Sequence, residues 1–138
     1  MGSPSALRSN LRLMSKSAIK KNNQTTGAFG EEVTARYVTE LGHEIMDRNW
    51  RVREGEIDIV SMSTDGTFHF IEVKTRSSLA FGHPFEAINK DKAHRMQRLA
   101  LAWLATHGCL GCEYAIDVSA VLISVDGSHT IEYRGGLL

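Results

Sequence analysis

Gly55-Glu56-Ile57-Asp58-Ile59-Val60, then Thr64-Asp65-Gly66-Thr67, then Phe68-His69-Phe70-Ile71-Glu72-Val73-Lys74-Thr75-Arg76 is the stretch that decides the fold. Two β-rich apolar runs flank an Asp-Gly turn, which predicts a hairpin with strands over 55–60 and 67–74. Charged residues sit inside both runs. Strand side chains alternate between faces, so Glu72 and Lys74 share one face, and His69 points to the other. Closing the hairpin through Asp65-Gly66 sets residues 58 and 72 roughly opposite each other. Directly opposed side chains have Cβ atoms about 4.5–5.5 Å apart. Two carboxylates that close repel unless one is protonated or a cation lies between them.

The hairpin residues alone leave two readings open. In one, Lys74 forms a partly buried ion pair with Asp58 or Glu72, a common device in sheets. In the other, the two carboxylates hold a hard divalent ion such as Mg²⁺, which needs only a couple of protein carboxylates. A lysine beside that ion suits the stabilisation of charge on a phosphate. Glu56 shares the face of Asp58 and is an alternative ligand, but it stands at the strand start, where solvent is expected.

The rest of the chain bounds the choice. At 138 residues it suits one domain with its own core, and the 42% hydrophobic and 23% charged content is ordinary for a globular protein. No apolar run approaches the length of a membrane span, and no secretory signal pattern opens the chain, which places it in the cytoplasm by expectation. Net charge is zero but uneven. Residues 1–26 carry Arg8, Arg12, Lys16, Lys20 and Lys21 and no acid, while residues 27–138 carry 11 basic against 16 acidic side chains. Residues 1–26 are expected to be a basic, disordered arm, either a plain leader or an aid in steering a polyanion. Met1-Gly2-Ser3 reads as an added start and Met14 as an alternative one. Residues 27–138 are expected to form a single domain.

Within that domain a helix is predicted over about 27–41, capped by Thr25 or Thr26, with Phe29, Val33, Tyr37 and Leu41 as its apolar stripe. Glu31, Ala35 and Val38 define a second, narrower face. A strand over His43–Trp50 and a charged connection over 51–55 lead into the hairpin. Residues 77–84 are expected to be an exposed loop. A long helix from about Phe85 to His107, irregular in its first turn, buries Ala93, Met96, Leu99, Ala100, Trp103 and Leu104. Strands over Tyr114–Ile123 and Thr130–Arg134 finish the chain. The order α-β-β-β-α-β-β predicts an α/β fold, a mixed five-stranded sheet flanked by helices. Cys109 and Cys112 fall in the loop before the fourth strand. A structural zinc site needs a second ligand pair, so they read as small loop residues, with redox or metal chemistry as the remote alternative.

Asp58 followed by Glu72-Val73-Lys74 resembles the D…(D/E)-x-K signature of the PD-(D/E)xK nuclease superfamily, which includes restriction endonucleases and archaeal Holliday-junction resolvases. The wider pattern is more specific: Gly27-x-x-Gly30-Glu31-x-x-Ala35, Arg48-Asn49, Gly55-Glu56-Ile57-Asp58, Val73-Lys74-Thr75-Arg76, Phe81-Gly82-x-Pro84-x-Glu86-Ala87 and Lys92. It resembles the YraN-like family of predicted endonucleases. That resemblance implies a restriction-endonuclease-like core and a metal-dependent endonuclease acting on branched or structured DNA with Mg²⁺ or Mn²⁺. It implies Glu31, Asp58 and Glu72 as metal carboxylates, the Val73 carbonyl as a further ligand and Lys74 as the catalytic lysine. Thr75, Arg76, Lys92 and Arg95 are candidate DNA contacts, with a solvated helix face the competing reading for the last two. A resolvase-like role further implies a homodimer. The alternative is a catalytically silent nuclease fold that binds DNA or a protein. The C-terminal tail and the cysteine loop depart from the family pattern, away from the expected centre.

Overall fold

The computed structural model describes residues 16–78 and 82–138, with side chains described from residue 26 onward. Residues 1–15 of the expected arm, and Phe81 of the loop motif, lie outside the described residues. Seven regular elements follow in order: α1 (Lys16–Glu40), β1 (Glu44–Val52), β2 (Gly55–Met62), β3 (Phe68–Arg76), α2 (Lys90–Thr106), β4 (Tyr114–Ile123) and β5 (His129–Arg134). A short 3₁₀ turn, Pro84–Ala87, precedes α2. The strands form one five-stranded sheet in the order β1-β2-β3-β4-β5.

The expected α/β fold, a mixed five-stranded sheet flanked by helices in the order α-β-β-β-α-β-β, is what forms. β1, β2 and β3 run antiparallel as a meander, β3 and β4 pair in parallel, and β5 returns antiparallel along β4. The parallel pair needs a crossover, and α2 supplies it. Within the β2–β3 hairpin, Ile59 pairs with Ile71 and Val60 with Phe70. Continuing that register by one residue sets Asp58 across from Glu72, as the hairpin reading requires.

Each helix covers one face of the sheet. Beneath α2 lies the larger core of Ile57, Val60, Phe68, Phe70, Ile116 and Val118 against Met96, Leu99, Ala100, Trp103 and Leu104. The six residues predicted to make the buried stripe of α2 are the six that are buried. Its start is cleaner than expected. Asn89 caps the helix by accepting the Lys92 N–H at 2.8 Å, and Pro84–Ala87 stands apart as its own turn.

The α1 side differs from expectation in two ways. The helix begins at Lys16, so residues 16–26 are helical rather than a disordered arm, and Thr25 and Thr26 are interior residues rather than caps. Nothing between Lys16 and Thr26 is a Gly or Pro, so no residue there stops a helix already anchored on the sheet. Glu31 and Glu32 are therefore mid-helix, not at its positive end. The buried face is also rotated: Gly30, Thr34, Ala35 and Val38 are buried, whereas Phe29, Val33 and Tyr37 are half-buried and Leu41 is exposed. Small residues win that face because the helix lies close to β3. A Cβ at position 30 would overlap the Thr75 hydroxyl, so only glycine permits the approach. The Thr34 hydroxyl bonds the Gly30 carbonyl at 2.9 Å and the Ser119 hydroxyl at 2.8 Å, which satisfies both buried polar groups.

Candidate functional site

The site grows from an irregularity in β2. Ile57 and Val60 both pack into the core beneath α2, while Ile59 packs beneath α1. Strict alternation would put residues three apart on opposite faces, so the strand twists between them. Across the ladder, Arg48 pairs with Ile59 and Trp50 with Ile57, and the Asn49–Asp58 pair between them drops out. Asn49 takes φ 54, the one positive φ among the described residues other than glycine. Left-handed backbone is strained for most residues and best tolerated by Asn.

This twist turns the Asp58 carboxylate onto β3, where Oδ2 accepts the Val73 N–H at 2.8 Å. That bond stands where the β2–β3 ladder would otherwise continue, so a side chain ends the pairing and opens the two strands. Burial pushes the Asp58 carboxyl up to about 7, and the neighbouring carboxylates Glu72, Glu31 and Glu56 push in the same direction against the Val73 hydrogen bond. Glu31 reaches the same region from the middle of α1. Burial raises its pKa, Arg48 draws it back, and Glu56 raises it again, while the Asn49 side chain hydrogen-bonds its carboxylate. Glu31 Oε1 is buried without a hydrogen-bond partner. A buried carboxylate oxygen left bare is costly, and it is what a cation would satisfy.

On the α2 side of the same strand ends, the Lys74 ammonium lies 3.3 Å from Glu72 Oε1 and the Lys92 ammonium 3.5 Å from that same oxygen. The ion pair of the competing reading thus exists, between Lys74 and Glu72, with Asp58 outside it. Burial lowers the Lys92 pKa, and the like charge of the adjoining Lys74 ammonium lowers it further, against the pull of Glu72.

Of the four expected centre residues, Glu72 and Glu31 both bear on the Asp58 carboxylate, and Lys74 touches Glu72. Among the described residues, however, no three His, Cys, Asp or Glu side chains converge closely enough to enclose an ion as they stand. Glu56 is drawn away by Arg51, at 2.9 Å. The candidate DNA contacts divide. Lys92 joins the site. Thr75 is packed against Gly30, Arg76 bonds the Thr75 carbonyl at 3.2 Å, and Arg95 bonds the Glu54 carbonyl at 3.3 Å, holding the β1–β2 turn. Two residues gain roles that the sequence reading did not give them. Asn49 was visible only as part of a motif. Asp117, an acid inside the apolar run Tyr114–Ile123, carried a signal that went unread.

Asp117 is 1% exposed and lies on the α1 side near the start of β3. Its Oδ2 lies 2.7 Å from His69 Nδ1 and also accepts the Tyr133 hydroxyl, and its Oδ1 accepts the Gly136 N–H at 3.1 Å. His69 Nε2 meets the Ser63 hydroxyl at 3.0 Å. The Ser63 hydroxyl in turn bonds Asp65 and the Thr67 carbonyl. His69 therefore faces away from the carboxylate site, as alternation predicts.

A mixed sheet whose central strands end in opposed carboxylates beside a lysine is the frame of a compact, nuclease-like α/β core. The chain belongs to the UPF0102, or YraN-like, family: the family described as "Uncharacterised protein family UPF0102" matches residues 30–121, spanning every site residue. Similar proteins include UPF0102 proteins of Beutenbergia cavernae, 47% identical over 80% of this chain and 93% of that one, and of Trichlorobacter lovleyi, 42% identical over 83% and 91%. A third, from an Arthrobacter species, is 46% identical over 80% and 93%. Among the described residues no helix is long and apolar enough to cross a membrane.

Proposed function

We propose that this chain is a metal-dependent endonuclease of the PD-(D/E)xK superfamily, resolvase-like, hydrolysing phosphodiester bonds of branched or structured DNA. The observation that carries the reading is the Asp58 carboxyl, pushed up to about 7 where three other carboxylates bear on it and where Glu31 Oε1 lacks a partner. A fold accepts such crowding at a cost, and function is a usual reason. Glu31, Asp58 and Glu72, with the Val73 carbonyl, would hold Mg²⁺ or Mn²⁺, which when bound supplies an acidified water and neutralises charge on the phosphate.

The chain's own residues do the rest. Asp58, fixed by the Val73 N–H, and Glu31, held by Asn49, set the width of the anionic site. Lys74, seated on Glu72 at 3.3 Å, would offer its ammonium to a phosphate oxygen. Lys92 stands behind it as a second donor to the same phosphate. Lysines on α2 supply sequence-independent backbone contacts, which makes binding strongly salt-dependent.

The test is cleavage of branched, single-stranded and linear duplex DNA with Mg²⁺ or Mn²⁺. Branched DNA is cut, and Asp58→Ala and Lys74→Ala each abolish the cut; activity that survives both substitutions sinks the reading. A symmetric junction needs two cuts, so the active form is a homodimer, and a monomer in sedimentation at micromolar concentration counts against the resolvase-like part. One observation favours a silent binding module instead: the carboxylates do not enclose an ion as they stand. DNA binding without Mn²⁺ binding is the signature of that second reading.

A further inference from the structure

The loop between α2 and β4 carries a cysteine pair that the nuclease reading does not use. The Cys112 N–H donates to the Cys109 carbonyl at 3.1 Å, closing the four-residue turn Cys109-Leu110-Gly111-Cys112. Gly111, third in the turn, has φ 92, the left-handed value that a type II turn demands at that place. A turn closed this way keeps its end Cα atoms within about 7 Å, and disulfides span Cα distances of about 4.4–6.8 Å. Both cysteines are free thiols. The backbone is thus already shaped for a bond between them.

The two sulfurs are not equivalent. Cys109 is half-buried, packs against the core beneath α2, and donates its S–H to the His107 carbonyl at 3.3 Å. Its N–H bonds the Leu104 carbonyl at 2.8 Å, which puts it at the negative end of α2, where a thiolate is disfavoured. Desolvation and Cys112 both raise its pKa. Cys112 is exposed. Among the described residues no third His, Cys, Asp or Glu stands with the pair, so the chemistry argued is sulfur with sulfur.

We infer that Cys109 and Cys112 form a dithiol site that reacts with a low-molecular-weight disulfide and closes, without refolding the loop, into an intraloop disulfide. Cys112 loses its proton to water and its thiolate attacks one sulfur of the oxidant. The oxidant's S–S bond breaks, and the first leaving thiolate takes up a proton. Cys109 then loses its proton to solvent and attacks the Cys112 sulfur, expelling the second thiolate. One protein dithiol is oxidised and one disulfide is reduced to two thiols.

The experiment treats the full chain with oxidised glutathione and follows free thiols and intact mass. The wild type loses both thiols, shows the mass of an internal disulfide with no glutathione attached, and recovers in dithiothreitol. Cys109→Ser stops at a mixed disulfide on Cys112, whereas Cys112→Ser reacts at least about tenfold more slowly. Stable glutathione adducts on the wild type, disulfide-linked dimers, or equal rates in the two single variants would overturn the proposal.

Discussion

The two ends of β3 hold buried charge in opposite ways. Near its start, His69 meets Asp117, and the buried carboxylate also accepts Tyr133 and Gly136, so its lone pairs are well supplied with donors. Near its end, Asp58 has the Val73 N–H but faces three like charges, and a Glu31 oxygen has no partner. The first cluster satisfies itself and ties the C-terminal residues to β4. The second is incomplete as it stands. Burial and charge alone do not separate a structural acid from a functional one; the count of donors does.

The comparison breaks first at Asp117. Asp117→Ala leaves His69 and the Tyr133 hydroxyl without their acceptor and should destabilise the fold by about 3–5 kcal/mol in urea unfolding. A loss near zero would show that the network contributes nothing. Asp58→Asn should do the reverse. The folded pKa of Asp58 is about 7 against an ordinary 3.8, so the folded chain keeps a proton that the unfolded chain releases first. Its contribution to stability is thus full below pH 4 and falls as pH rises toward 7. The Asn variant lacks that fall and should be about 2 kcal/mol more stable than wild type at pH 8, a figure reduced from the full shift for partial solvent access. The same variant should lose DNA cleavage, and Mn²⁺ should stabilise the wild type but not the variant.

Lys74→Ala sharpens the contrast further. It should lower cleavage about 10²-fold or more while leaving the unfolding midpoint within about 1 kcal/mol of wild type, because Lys92 still neutralises Glu72. The smallest effect is expected at Asn49. Asn49→Gly relaxes the backbone at φ 54 and should shift stability by no more than about 0.5 kcal/mol. It also removes the amide that holds Glu31, so Mn²⁺ affinity, read by electron paramagnetic resonance, should fall severalfold. Unchanged affinity would show that Asn49 positions nothing.

Much of the fold was legible because it is written in periodicity. The α2 stripe from Ala93 to Leu104 and the hairpin around Asp65-Gly66 follow from spacing and turn chemistry, and the structure keeps both. The start of α1 was not legible, because its polar residues from Lys16 to Thr26 show no apolar rhythm. Its buried face was misread because closeness to the sheet favours small residues over large ones, and closeness is a tertiary fact. The site residues Asp58, Glu72 and Lys74 were visible as charges out of place in a strand. Asp117 was equally out of place. Its donors come from His69, Tyr133 and Gly136, each distant in sequence, so its meaning depended on the sheet order. Asn49 was hidden for a simpler reason: an Asn in a strand does not announce its φ.

The contact between Gly30 and Thr75 gives α1 a fulcrum. Glu31 is the next residue along, so its distance from Asp58 is set by how closely helix and strand can seat at that point. A methyl group added at position 30 would run into the Thr75 side chain, and the shift that relieves the overlap would fall on the residue next to Glu31. Gly30 has no atom that could bind or react, yet it is the gauge that fixes how wide the anionic gap can be.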